Sequence, residues 1–267
     1  MKEWLKITCV WIAAWLLTLA PTPLFAQNPI VGGKAIVGGK AIVGGGTNPA
    51  NVIFDNSGSF VNCTGTCGGV TIGATVPVGH RIVLLIGSQQ TSTAIFTNVT
   101  ACSDSQGNTY AISAGTNDPT GGSLACSGMV TTQLGSSDTV NVTTSASSTG
   151  TIYILDLTPS IAAAVNASGT ANYVSSSGPS VTASGAVTNP TIAIAFFVSQ
   201  GTCSATGGHC SWSGAYTEPS GFTANSGTGA DNVNIGWQAV PSGTPTVTLT
   251  VIPSVSGSAT LVAYREM

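Results

Sequence analysis

Thr246-Val247-Thr248-Leu249-Thr250-Val251 decides the fold class: every second residue is branched and apolar, and every residue between is a threonine. Side chains of an extended strand point alternately to opposite faces, so a two-residue period means one buried face and one wet face. The same period appears on both sides of this hexapeptide. Val233, Ile235 and Trp237 precede it, and Ala259, Leu261 and Ala263 follow it. Two other stretches, residues 82–86 and 192–198, are apolar without interruption and read as central strands. Clusters of Gly, Pro, Asn, Ser and Asp separate these runs. No segment keeps helical periodicity for three turns, and the nearest, residues 160–165, is long enough for a single turn only. Residues 51–267 therefore read as an all-β domain, an antiparallel β-sandwich of jelly-roll or Ig-like type in which two sheets pack face to face. Two small Ig-like units joined by the Ser/Gly-rich segment 166–189 are the alternative. Val174, Val181 and Val187 are spaced to make that segment strand-forming, which favours one domain.

Outward to the N-terminus the character changes. Lys2 and Lys6 precede an apolar run over residues 7–20, and Leu24-Phe25-Ala26 closes the segment before Gln27. A basic start, a short apolar stretch and a small residue at the cut describe a secretory signal peptide over residues 1–26. The run is too short to span hydrocarbon comfortably, although Trp4, Trp11 and Trp15 make a retained anchor the rival reading. Cys9 lies inside the run and not after the cut, which argues against a lipid anchor. Residues 27–50 follow as an arm. Ile30-Val31-Gly32-Gly33-Lys34-Ala35 recurs at 36–41 and, decayed, at 42–47. If extended, the arm puts Val31, Gly33, Ala35 and Val37 on one side, so it is either a strand able to dock in a groove or a flexible Gly-rich linker.

Export sets the chemistry of the cysteines. Cys63, Cys67, Cys102, Cys126, Cys203 and Cys210 are even in number, and in an oxidising compartment parity favours disulfides. Spacing groups them as Cys63 with Cys67, Cys102 with Cys126 and Cys203 with Cys210. The gaps do not match zinc knuckles. Charged residues are only 6% of the chain. Beyond the signal segment the cations are Lys34, Lys40, Arg81 and Arg265, so there is no basic face for nucleic acid or anionic lipid.

The most distinctive motif is Asp104-Ser105-Gln106-Gly107-Asn108-Thr109-Tyr110, in which Asp, Gly and Asn supply a tight turn into a strand. Together with Val76-Pro77-Val78-Gly79 ahead of an apolar strand, and Leu261-Val262-Ala263-Tyr264 near the end, it resembles a family of exported bacterial and phage-encoded domains. The resemblance implies a jelly-roll-like sandwich and no catalytic residues. Asp104 and Asn108 also admit a calcium reading, but two ligands are few for that ion and a plain turn is preferred.

Chemistry elsewhere is sparse. His80 and His209 are the histidines available to a triad, and neither adjoins a nucleophile-elbow sequence. Carboxylate pairing would have to draw on Asp55, Asp104, Asp118, Asp138, Asp156, Glu218 and Asp231, most of them in turn-like settings. No catalytic, cofactor-binding or metal-ligating set is assigned, and no cofactor is expected. Trp212, Tyr216 and Phe222 lie close together after Cys203, and Trp212 and Tyr216 are candidate contacts for a sugar face. The preferred reading is that these rings fill a loop-covered corner of the core. Trp237, in phase with Val233 and Ile235, is expected in the core as well.

The sequence thus points to a secreted or cell-surface, non-enzymatic protein with a structural, adhesive or fibre-forming role. Its partners would be further copies of itself, joined by the arm, or surface glycans. A carbohydrate-binding module is the second reading and a secreted hydrolase the third.

Overall fold

The computed structural model describes residues 51–88, 94–118, 121–157, 161–187, 191–200, 210–222, 232–251 and 254–266, together with three short strands of the arm. The segment read as a signal peptide lies outside the described residues. Among those described, no helix is long and apolar enough to cross a membrane.

The chain divides into two compact units between Asn48 and Pro49. In the first, β1 (Ile30–Val31), β2 (Lys34–Val37) and β3 (Lys40–Ile42) form an antiparallel meander. Val31 faces Lys34 in register, and Val37 faces Lys40. The described residues of the arm are thus three short strands folded back on one another. A Gly-Gly pair stands between consecutive strands in the sequence, and such pairs suit two-residue hairpin links.

The second unit begins with β4 (Val52–Thr71), β5 (Arg81–Ser88), the single-turn α1 (Ile95–Asn98), β6 (Val99–Asp104), β7 (Thr109–Asp118), β8 (Gly121–Met129) and β9 (Thr139–Leu157). These six strands form one antiparallel sheet in the order β4-β9-β5-β8-β7-β6. β9 pairs with β4 along one edge and is long enough to serve two neighbours along the other. Its last residues pair with β5 and its first residues with β6, which curls the sheet into a partial barrel. The chain continues through β10 (Ile161–Ser176), β11 (Ser180–Thr182), β12 (Thr191–Gln200), β13 (Cys210–Trp212), β14 (Asn232–Val240), β15 (Thr246–Val251) and β16 (Val255–Glu266). β10-β16-β12-β14 make a second sheet, and β11-β15-β13 make a third.

The alternation of side chains explains how three sheets stack where two were expected. Ile82, Leu84 and Ile86 of β5 join Ile152 and Ile154 of β9 inside the barrel. Val83 and Leu85 point the other way, to a second core with Tyr153, Leu155, Ile192, Ile194, Phe196 and Val198. β12 repeats the arrangement: Ala193, Ala195 and Phe197 face a third core with Val247, Leu249, Val251 and Leu261. The two uninterrupted apolar runs are thus strands buried on both faces, and the threonine-alternating β15 is covered on one face only. Gly87 lets the first two sheets approach. A Cβ at that position would lie 2.7 Å from Val198 and 2.9 Å from Phe196. Fully burying an aliphatic side chain stabilises by about 1.5–3 kcal/mol, so two strands that each feed two cores anchor the domain.

The segment 166–189 weighed as a linker supplies β11 and most of β10. Trp237 packs on the second core in phase with Val233 and Ile235, and it is half-buried.

Candidate functional site

Residues 104–110 make the turn between β6 and β7, and its polar groups bond inward. Gly107 adopts a φ of 84°, the left-handed conformation that glycine accepts at little cost. Oδ1 of Asp104 accepts the backbone N–H groups of Gln106 (2.9 Å) and Asn108 (3.0 Å). Oδ2 accepts the Asn108 side-chain N–H at 2.8 Å and the Tyr110 hydroxyl. Asn108 then carries the network across to the segment after β8. Its Oδ1 accepts from the backbone N–H groups of Thr131 and Thr132, both at 2.9 Å, and from the Thr131 hydroxyl at 2.7 Å. Its Nδ2 also donates to the Thr132 carbonyl at 3.0 Å. Asp104 is 7% exposed and Asn108 3%. Burial, and then the adjoining Asp104 carboxylate, push the Tyr110 hydroxyl well above its ordinary pKa. All three side-chain oxygens of Asp104 and Asn108 accept hydrogen bonds from the protein itself. The motif that suggested a cation is a polar rivet between two connections of the barrel.

A second turn is tied to the first. Asp138 accepts from the Gly135 backbone (2.7 Å), the Ser105 hydroxyl (2.7 Å) and the Gln106 amide (2.8 Å). Hydrogen bonds from Gln106, Gly135 and Ser105 hold its carboxyl below the usual range.

Cys63 and Cys67 form a disulfide within β4, and Cys102 and Cys126 form one joining β6 to β8. Both pairs are consistent with the grouping by spacing. Cys102 and Cys126 are buried in the barrel core. The grouping of Cys203 with Cys210 lies outside the described residues, because Cys203 does. His209, Asp231 and the Asp118 side chain lie outside them as well.

The aromatic segment is turned into the protein. Tyr216 is 6% exposed and Phe222 7%. Trp212 stacks on Tyr216 with ring centroids 6.2 Å apart and meets Phe197 edge-on at 5.8 Å. A Cβ added at Gly236 would come within 2.8 Å of the Trp212 ring. Phe222 instead enters the second core, edge-on to Phe54 and Tyr153. The two candidate sugar contacts, Trp212 and Tyr216, thus pack on the third core, Trp212 half-buried, and Phe222 enters the second.

The structure brings together one set of ionisable groups that the sequence reading kept apart. His80, just ahead of β5, has Nδ1 at 2.9 and 3.0 Å from the two oxygens of Asp156 near the end of β9. Asp55 is the extra residue of a β-bulge in β4, between Phe54, opposite Leu155, and Asn56, opposite Ile154. It thus sits on the strand beside Asp156. The Asp55 Oδ2 atom is buried and has no hydrogen-bond partner. Burial, reinforced by the Asp156 charge, raises the Asp55 carboxyl to about 7. Burial also raises Asp156, against the lowering effect of His80. Among the described residues, no three His, Cys, Asp or Glu side chains are grouped to hold a metal ion. One sequence signal for this cluster existed: Asp156 continues the core-facing column of Ile152 and Ile154 inside an apolar run, where a carboxylate is out of place. The Asp55 bulge had no such signal.

One surface feature remains. β6 and β7 share only two register pairs, Cys102 with Tyr110 and Ser103 with Thr109. Beyond them β6 follows β9 and β7 follows β8, so the barrel wall opens along a seam. A groove of about 570 Å³ lies there, lined among others by Thr100, Ser103, Thr109, Ile112 and Met129. Ile112 is 39% exposed. No family model, curated protein or solved structure matches this chain.

Proposed function

We propose that this is an exported, non-enzymatic β-protein of the cell surface or its surroundings, with a structural, adhesive or fibre-forming role. The observation that carries the reading is the use to which the chemically able residues are put. Asp104, Asn108 and Tyr110 rivet turns, two cystines staple the barrel, and Trp212 and Tyr216 pack against the third core. A surface of Ser, Thr and Asn with few charges suits the same role. On this reading the domain is a layered relative of the jelly-roll-like sandwiches that its Asp104–Tyr110 turn resembles, and the signal peptide delivers it out of the cytosol.

Assembly would proceed by strand addition. The arm has a two-residue period and pairs as strands within its own unit. The diverging edges of β6 and β7 offer backbone groups that those two strands do not give each other. The occupant we assign to the seam is the arm of a second copy. Deleting residues 28–46 should shift a concentration-dependent oligomer to monomer in sedimentation velocity, and Ile112→Lys, which places a charge on the seam, should do the same. Assembly unchanged by both alterations, or a wild-type chain that is monomeric throughout, would overturn the reading.

A further inference from the structure

Asp55, Asp156 and His80 sit where β4 enters the barrel sheet. The first residues of β4 are held on one side by β9, with Val52 opposite Leu157 and Phe54 opposite Leu155. On the other side they meet residue 220, where the Phe54 N–H donates to the Ser220 carbonyl at 2.9 Å and the Ser220 N–H donates to the Val52 carbonyl at 3.3 Å. The bulge at Asp55 interrupts the ladder at this point, so local order depends on side chains more than it does along the regular part of the sheet.

We propose that Asp55, Asp156 and His80 form a proton-held clamp that fastens the start of β4 to the end of β9 and loosens when the cluster loses its proton. With a proton on Asp55 the two carboxyls carry one negative charge, and His80 faces that charge. Without it, two like charges lie on adjacent strands in a partly buried place, and one oxygen of Asp55 has no donor. The surrounding groups offer little relief. Asp156 comes from β9 and His80 from the segment before β5. Arg81, the next residue, has its guanidinium 5.3 Å from the Tyr264 ring centroid and donates to the Ser127 hydroxyl. Glu218, two residues before Ser220, is exposed and acidic. The sign follows from burial and like charge acting together on Asp55. A carboxyl raised above its unfolded value stabilises fully below that unfolded value, and the stability is lost as pH rises through about 7. The consequence is a domain firmest in mildly acid surroundings, with its least secure point a few residues beyond the arm.

Thermal unfolding of the full chain between about pH 5 and about pH 8.5 tests the clamp. Wild type should lose several degrees across that range, and Asp55→Asn should lose less than about half as much. Equal losses in wild type and Asp55→Asn would overturn the proposal. Amide exchange in the wild-type chain provides a readout that does not depend on any variant folding. After correction for intrinsic rates, residues 52–56 should lose protection about tenfold or more over the same range, with β12 unchanged. Protection at 52–56 that does not vary with pH would also overturn it.

Discussion

Asp104 and Asp55 are the same side chain in the same barrel, placed near opposite ends of β9, and the fold treats them in opposite ways. Asp104 pairs across to the start of β9 and accepts four hydrogen bonds, two from backbone and two from side chains. Asp55 lies beside the far end of β9 with one oxygen unserved and a second carboxylate as neighbour. Burial by itself therefore does not tell whether a carboxylate strengthens or weakens a β-sheet. The donors that the neighbouring chain can aim at it decide. At Asp104 a tight turn directs two backbone N–H groups inward. At Asp55, the extra residue of a bulge, no donor is aimed at the second carboxylate oxygen.

The comparison breaks most readily at the first site. Asp104→Ala should strand the Gln106 and Asn108 donors and the Tyr110 hydroxyl, destabilising by about 3–5 kcal/mol. In a domain of this size that lowers the calorimetric midpoint by roughly 10 °C. A loss no larger than that of an exposed Asp would show the network to be ornamental. The next effect separates hydrogen bonds from covalent support at the same end. The Cys102–Cys126 bridge spans 24 residues and the Cys63–Cys67 bridge spans 4. Loop-closure entropy then assigns roughly 3.5 kcal/mol to the first and about 2 kcal/mol to the second. Paired Ala replacements compared by urea unfolding should preserve that order.

The Asp55 end sharpens the contrast through pH. Its raised carboxyl makes neutral solution unfavourable by about 1–2 kcal/mol, discounted for partial exposure, and Asp55→Asn should remove most of that dependence. The smallest effect belongs to the seam. Ile112→Lys should alter monomer stability by no more than about 0.5 kcal/mol by urea unfolding, because the site is open and not core. A large loss there would mean that the seam is part of the barrel's packing, and its proposed role as an acceptor would fall.

How much of this was legible in the residues depends on the range of the interaction. Alternation at Val247, Leu249 and Val251 and the unbroken runs at 82–86 and 192–198 announced strands, because side-chain direction is a local property of an extended backbone. The Asp104–Tyr110 turn was legible for the same reason. The number of sheets was not. An unbroken apolar run reports burial on both faces but not what covers each face, and that is settled by pairings such as β12 with β16, distant in sequence. The aromatic segment was legible as core-filling but not in its detail, because proximity in sequence is silent about direction: Tyr216 and Phe222 are six residues apart and enter different cores. The clamp was the least legible feature. It joins residues 55, 80 and 156, and only one of them, Asp156 in an apolar column, broke a local pattern.

The contrast between the two carboxyls is tested most directly by NMR titration of the aspartate side-chain carbonyl carbons in the full chain. The account predicts that the Asp55 carbon titrates near 7, with a coupled change at Asp156. An Asp55 carbon that completes its titration in the ordinary carboxyl range, around 4, with no response at Asp156, would contradict it.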